Sequence, residues 1–341
     1  MSLESNIENF YSSVPVIPQG KNYWLIRTLS GNLYETFVER NFVAIGYNEI
    51  SLEAIHTINR SSINESDKLE DIKSLIVDAY ENEKRPGLIA SQIYKFTYKL
   101  KKGDVVVIPS KDSGYVSFGV ITETPLLSID FTKNDDCDFY RRKSVKWLKH
   151  IKRNELEPLL FKMFFSHNTI NDITGYGSII ESTLNNYFIK DDEEYVVFNI
   201  ERNEDISAID LFQLGFYLLK LTEEFYIKNG LDFDIDDFDV KVNLNSKGKL
   251  KFIKKYGKGA FILALITIFI NGGGGTISYG DFNLDISSDG LIQKIIDYQN
   301  NEFDRKMVEE IKESMDSLQI ENPNDALELF RQFSVNKKTE E

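Results

Sequence analysis

Hydrophobic and polar positions along the chain follow two periods, and they predict a mixed α/β protein. Tyr23 to Thr28 (YWLIRT) and Asn41 to Tyr47 (NFVAIGY) are short aromatic and β-branched runs, which predicts strands with a short helix over 31–39 between them. Ser66 or Asp67 is placed to cap a helix reaching about Asn82, with Leu69, Ile72, Leu75, Ile76 and Ala79 on one face. Pro86-Gly87 interrupts it, and helical spacing returns over 88–100 through Ile89, Ile93, Phe96 and Leu100. Two more strands follow, at 105–109 and 115–122, and residues 141–153 read as a strand or short helix that closes the module.

Downstream, residues 155–165 read as a connecting helix and 168–177 as turn-rich. An acidic turn at 191–194 leads into a strand at 195–200. A long amphipathic helix spans roughly 207–229, with Gly230 placed as its C-cap. Residues 240–244 and 250–253 resemble a hairpin, 260–270 a buried helix or strand ended by Gly272 to Gly275, and 291–318 and 324–333 helices. The pattern divides the chain into a flexible arm (1–20), a first domain (21–165), a linker (166–190), a second domain (191–334) and a charged tail (335–341). The expected fold class is α+β: a partly closed mixed β-barrel decorated with helices, then a second α+β domain rich in helices.

Composition supports real cores. The chain has 341 residues, 42% hydrophobic and 13% aromatic, long enough for two domains. Cys137 is the one cysteine, so neither an intrachain disulfide nor a multi-cysteine zinc site is available, and His56, His150 and His167 share no close metal-ligand spacing. No metal and no cofactor is expected. Residues 1–11 are polar, carry Glu4 and Glu8, and lack the basic start and apolar centre of a secretion signal. The eleven-residue apolar run 260–270 falls short of the roughly 18–20 residues of a membrane span. The expectation is a cytoplasmic protein, with a membrane not expected as a partner.

Charge changes the picture. The net charge of −14 is not spread evenly: residues 1–165 hold 22 basic and 22 acidic side chains, and the remainder hold 18 and 32. The most basic stretch, 141–153 (RRKSVKWLKHIKR), has seven Lys or Arg and no acid, with Trp147, Leu148 and Ile151 interleaved. Such a stretch suits phosphate contact, with Lys111, Arg141, Arg142, Lys143, Lys146 and Lys149 as candidates. A solvated edge strand guarded by charge is the alternative.

No catalytic centre emerges. The four glycines at 272–275 do not continue into Gly-Lys-Ser/Thr or open a helix. The acidic stretch from Asp232 has Asp237 and Asn243 where a calcium loop needs Gly and Glu. Asp239-Val240-Lys241 faintly resembles the acid-x-Lys of restriction nucleases but lacks a clear second metal-binding acid before it, and Ser166-His167 has no nucleophile elbow.

Five strings in order carry a resemblance: Tyr23 to Thr28; Val43 to Tyr47; Gln92 to Phe96 followed by Lys102 to Ser110; Phe118 to Thr122; and Arg141 to Leu148 with Ile151 and Arg153. Together they resemble the EVE/PUA-like domains fused to modification-dependent restriction enzymes of the Mrr and McrBC type. The resemblance covers residues 20–165 and implies a pseudo-barrel with an aromatic pocket for a base flipped from a duplex. It implies Trp24 and Tyr47 as stacking walls and Arg27 and Ser110 as polar readers, with Tyr47 standing where relatives tend to carry Trp. The implied role is nucleic-acid sensing, modified DNA included, in an anti-phage or restriction-like system. The C-terminal half would couple sensing to a homo-oligomer or a separate effector protein. Rival readings make that half the effector itself, membrane-acting through 260–275 or a divergent nuclease, or an acidic DNA mimic that binds proteins.

Overall fold

The computed structural model describes residues 14–61, 64–123, 137–202, 204–228, 234–243, 248–255, 259–271, 276–279, 282–285 and 302–320. The chain forms two compact units, Gly20–Ile180 and Glu181–Glu341 together with the first 19 residues. Both are mixed α+β.

The N-terminal unit is built on strands β1 (Tyr23–Ile26), β2 (Phe42–Ile45), β3 (Val105–Pro109), β4 (Tyr115–Ile121), β5 (Arg141–Lys152) and β6 (Ile170–Asp172). They form one curled half-barrel sheet in the order β2-β5-β4-β3-β1-β6. Strand β1 lies parallel to β3, and every residue of both is buried. Their uninterrupted apolar runs are what a strand covered on both faces requires. Helices α1 (Tyr34–Glu39), α2 (Leu52–Ser61), α3 (Glu65–Ala79) and α4 (Pro86–Tyr94) accompany the sheet.

Helix α3 is capped by Asn64, two residues before the first of the two expected caps. The Asn64 side chain accepts a hydrogen bond from Asp67 N at 2.9 Å, and Ile72 and Ile76 form its buried stripe. Pro86 occupies the first turn of α4, where its missing N–H is harmless. The helix leaves through a π-turn, Lys95–Lys99. Helix α2 had no counterpart in the sequence reading.

Residues 155–165 are not a connecting α-helix. They form 3₁₀ turns, Arg153–Glu155 and Pro158–Phe165, because the residue before Pro158 is held out of the helical region. The expected linker at 166–190 is regular structure: β6, helix α5 (Gly177–Leu184) and strand β7 (Tyr187–Lys190). Strand β6 pairs antiparallel with β1 and is the outermost strand on that side of the sheet.

In the C-terminal unit, β7, β8 (Glu193–Asn199), β9 (Phe238–Asn243) and β10 (Lys249–Lys255) make an antiparallel sheet ordered β7-β8-β10-β9. The acidic turn joins β7 to β8 through Asp191 and Asp192, both at positive φ, as a tight hairpin demands. Helices α6 (Ala208–Lys228), α7 (Gly259–Asn271) and α8 (Glu302–Leu318) bury one sheet face: Leu214, Leu218 and Phe225 of α6 and Ile311 and Met315 of α8 join Val196, Phe198, Leu250 and Phe252 in one core. Residues 14–17 are not a free arm. Ile17 N donates to Ile189 O at 2.8 Å, Ile189 N donates to Pro15 O at 3.0 Å, and the Ile17 side chain joins Phe188, Tyr195, Val197 and Ile253 on the other face.

Helix α7 is apolar all round because it is core. Residues 260–268 are buried, and the buried Glu194 carboxylate accepts from Ala260 N at 3.0 Å at its first turn. Its described part therefore presents no exposed apolar face for a membrane, and among the described residues no helix is long and apolar enough to cross one. A two-stranded hairpin, β11 (Thr276–Tyr279) and β12 (Phe282–Asp285), follows. Gly272 to Gly275, Gly230, the helix expected over 324–333 and the tail lie outside the described residues.

Candidate functional site

One cavity of the N-terminal unit has a volume of about 630 Å³. It is lined by residues that follow β1 (Arg27, Leu29, Ser30), follow β2 (Gly46, Tyr47), precede β5 (Phe139) and precede β6 (Phe164, His167, Thr169). Strands β2 and β6 are opposite edges of the six-stranded sheet, so the curl of the sheet brings both edges to one site. The volume lies within the range of small-molecule sites, about 300–1,000 Å³.

Its walls are aromatic. Phe139 sits over Gly46, where an added Cβ would stand only 3.1 Å from the ring, so a side chain there would displace it. Tyr47 is half-buried against the core, with φ at +68°. Leu29 and Ser30 are also left-handed, at +50° and +57°. Left-handed residues other than glycine cost roughly 1 kcal/mol or more each and concentrate at ligand sites. Here the surroundings fix them. Arg141 Nη1 donates to Gly46 O at 3.0 Å and Tyr47 O at 2.7 Å, and its Nη2 donates to Ile50 O. Gly31 packs so tightly on the turn after β3 that a Cβ would come within 2.2 Å of Lys111 Cα.

Arg27 supplies the cation. Its Nε donates to Ser166 O at 3.1 Å, and Nη2 donates to Phe164 O and Ser166 O. Nη1 makes no hydrogen bond among the described residues, and it is not sealed from solvent. Burial lowers the guanidinium pKa from its ordinary value, which leaves it charged at neutral pH. Thr169 N donates to the buried Gln92 Oε1 at 2.5 Å, and Arg27 N to Thr169 O at 2.8 Å, so this wall is tied to both β1 and α4. The cavity thus offers flat apolar faces, one cationic donor with a free N–H group among the described residues and the side chains of Ser30, Thr169 and His167, a combination suited to a planar ring with hydrogen-bonding edges.

Of the four expected pocket residues, Arg27 and Tyr47 line this cavity. Trp24 does not. It is 4% exposed, its indole N–H donates to Asp104 Oδ2 at 2.9 Å, and it edges a different cavity of about 400 Å³ with Tyr94, Lys95 and Lys99. Ser110 does not either: its hydroxyl accepts from Tyr115 N at 2.8 Å inside the β3–β4 turn. Sequence reasoning missed Phe139, Phe164 and Thr169. The signal available was the aromatics immediately flanking the basic strand, which look like core residues until the edges of the sheet meet.

The six candidate phosphate ligands separate into two groups. Arg141, Arg142 and Lys143 are buried, at 1%, 7% and 1% exposure, and cannot reach phosphate. Arg142 Nε donates to Phe139 O at 2.7 Å, Nη2 donates to Cys137 O, and the guanidinium lies 4.4 Å over the Phe42 ring. Lys143 Nζ donates to Thr97 O at 3.4 Å and to Leu100 O, filling the role of a C-terminal cap where the π-turn releases its carbonyls. Desolvation pushes Arg141 down to about 10 and Lys143 down to about 8, with Asp104 opposing the shift of Lys143. Lys111, Lys146 and Lys149 are exposed, as are Lys152 and Arg153, and the side chains of Lys111, Lys146, Lys152 and Arg153 make no ion pair among the described residues. A register shift beside Phe118 and Gly119 turns Leu148 outward, so Trp147 and Ile151 anchor this half of β5 without it.

In the C-terminal unit Asp239 and Lys241 lie exposed on β9, opposite Ile253 and Lys251. Among the described residues no group of three or more His, Cys, Asp or Glu is arranged to hold a metal ion. A family described as a domain of unknown function (DUF8426) matches residues 24–174, the span of the half-barrel unit. No curated protein and no solved structure matches the chain.

Proposed function

We propose that the N-terminal unit is a nucleic-acid sensor whose cavity takes a single base, in the manner of the EVE/PUA-like domains it resembles. The observation that carries this reading is the cavity walled by Tyr47, Phe139 and Phe164 with Arg27 at its side, in a unit that also carries the exposed cations Lys146, Lys149, Lys152 and Arg153. Phe164 belongs to both features: its ring lines the cavity and lies 5.9 Å from the Arg153 guanidinium. Flipping a base out of a duplex costs a few kcal/mol. Stacking on aromatic walls returns about 1–3 kcal/mol per base, and phosphate contacts supply the sequence-independent remainder. The Arg27 donor favours an acceptor on the edge of that base. Modified bases in DNA are the ligand class the resemblance suggests, and a restriction-like defence system is the setting it suggests. In that setting the acidic C-terminal unit serves as the assembly or effector-coupling part.

The test is fluorescence anisotropy of the full chain with labelled duplexes carrying plain, methylated or hydroxymethylated cytosine, over a salt series. The expected result is binding that weakens with salt and falls about tenfold or more in Tyr47→Ala. Binding of free mononucleotides without polymer binding at low salt would overturn the sensor reading, as would a Tyr47→Ala variant indistinguishable from the parent.

A further inference from the structure

A shallow groove of about 460 Å³ is lined by Gly114, Tyr115, Lys152, Arg153, Asn154 and Phe161, and its Arg153 guanidinium lies 5.9 Å from the ring of Phe164, which lines the cavity. Its makeup differs from an ordinary polar surface. Tyr115 is 46% exposed at the start of β4, although the remaining residues of that strand are buried or, at Val120, half-buried. Phe161 is half-buried, and the Arg153 guanidinium lies 5.1 Å over its ring. The backbone N–H of Arg153 donates to Gly114 O at 2.9 Å, which holds the end of β5 against the β3–β4 turn. The Arg153 guanidinium and Lys152 ammonium make no hydrogen bond or ion pair among the described residues. Aromatic faces beside unpaired exposed cations match what a single strand of nucleic acid offers, a base face and a phosphate, one of each per nucleotide.

We propose that this groove holds the nucleotide adjacent to the one in the cavity, its base stacked on Tyr115 and Phe161 and its phosphate on Lys152 and Arg153. The inference rests on the reading of the cavity as a base site. What links the two is Phe164, which lines the cavity and whose ring lies 5.9 Å from the Arg153 guanidinium of the groove. The unit would then bind a dinucleotide step, and context beside the read base would affect affinity through stacking. Purines, with the larger face, would be favoured in the groove.

The experiment measures anisotropy of the full chain with strands that carry an abasic site on either side of the read base in turn. For the parent protein one of the two abasic strands should bind about tenfold more weakly than the intact strand. Tyr115→Ala combined with Phe161→Leu, which keeps apolar volume under Arg153, should bind the intact strand with that same loss and no longer discriminate against the abasic one. Lys152→Gln with Arg153→Gln should reduce the slope of log affinity against log salt by between about one and two. Equal binding of all three strands by the parent overturns the groove alone, provided Tyr47→Ala still loses affinity. A silent Tyr47→Ala overturns the cavity reading and this inference with it.

Discussion

The two halves of β5 carry the same kind of sequence and have opposite fates. Arg141, Arg142 and Lys143 are buried and bonded to backbone carbonyls, whereas Lys146, Lys149, Lys152 and Arg153 stand in solvent. The difference is a matter of neighbours. Strand β2 pairs only with the first part of β5, from Arg141 to Ser144, and the β2 turn and the α4 π-turn close over it. Beyond Val145 the strand has β4 on one side and, among the described residues, no strand on the other. A run of cations therefore does not report a surface. It reports either phosphate ligands or structural donors, and the covering elements decide which. Buried cations without a carboxylate partner are tolerable only where several carbonyls replace water, as around Arg141.

The largest expected effect is at Arg141. Replacing it with Met removes hydrogen bonds to three carbonyls, that of Ile50 buried and those of Gly46 and Tyr47 partly so, which should cost roughly 3 kcal/mol, read as a lower urea midpoint. Because those bonds fix the left-handed Tyr47, ligand affinity should fall as well. A midpoint within about 0.5 kcal/mol of the parent would break the comparison at its strongest point.

Lys143 gives a smaller, pH-dependent effect. Its folded pKa of about 8 lies below the ordinary value of 10.5, so over pH 8 to 10 the unfolded chain holds a proton that the folded chain releases. Stability contributed by this residue should therefore rise with pH in that window, by at most about 1.4 kcal/mol per unit. Urea titrations of the parent and Lys143→Met should diverge there with that sign. Parallel curves would mean that the ammonium is not desolvated. Above pH 10 the sign is opposed by Tyr98, which burial pushes up to about 12 and which keeps its proton in the folded state.

The smallest stability effect belongs to the exposed half. Lys146→Ala should leave the urea midpoint within about 0.5 kcal/mol and lower the salt slope of nucleic-acid binding by about one or less. A strong loss of stability there would erase the distinction between the two halves.

Much of the scaffold was legible in the residues themselves. The buried runs of β1 and β3, the face of α3 and the hairpin of β9 and β10 follow from periodicity, because each period corresponds to one backbone geometry and one buried face. Arg27 and Tyr47 were identified through the order of motifs, and both line the cavity. Trp24 and Ser110 lie outside this cavity, and the sequence could not show it, because an aromatic in an apolar strand and a serine after a strand look alike whether they face a core or a pocket. Only the fold put the Trp24 indole on Asp104 and the Ser110 hydroxyl inside a turn. The short β6 was hidden as well, since three residues carry no periodic signal and their strand character comes from pairing with β1.

By itself, then, the sequence determined the period and burial of its longer elements, the separation of charge between its two parts and that its one cysteine forms no intrachain disulfide, all of which are local or compositional properties. The tertiary structure alone decided which cations are buried, which aromatics wall the cavity and that opposite edges of one sheet meet there. These depend on pairings between residues as far apart as Tyr47 and Thr169, and no window along the chain contains both.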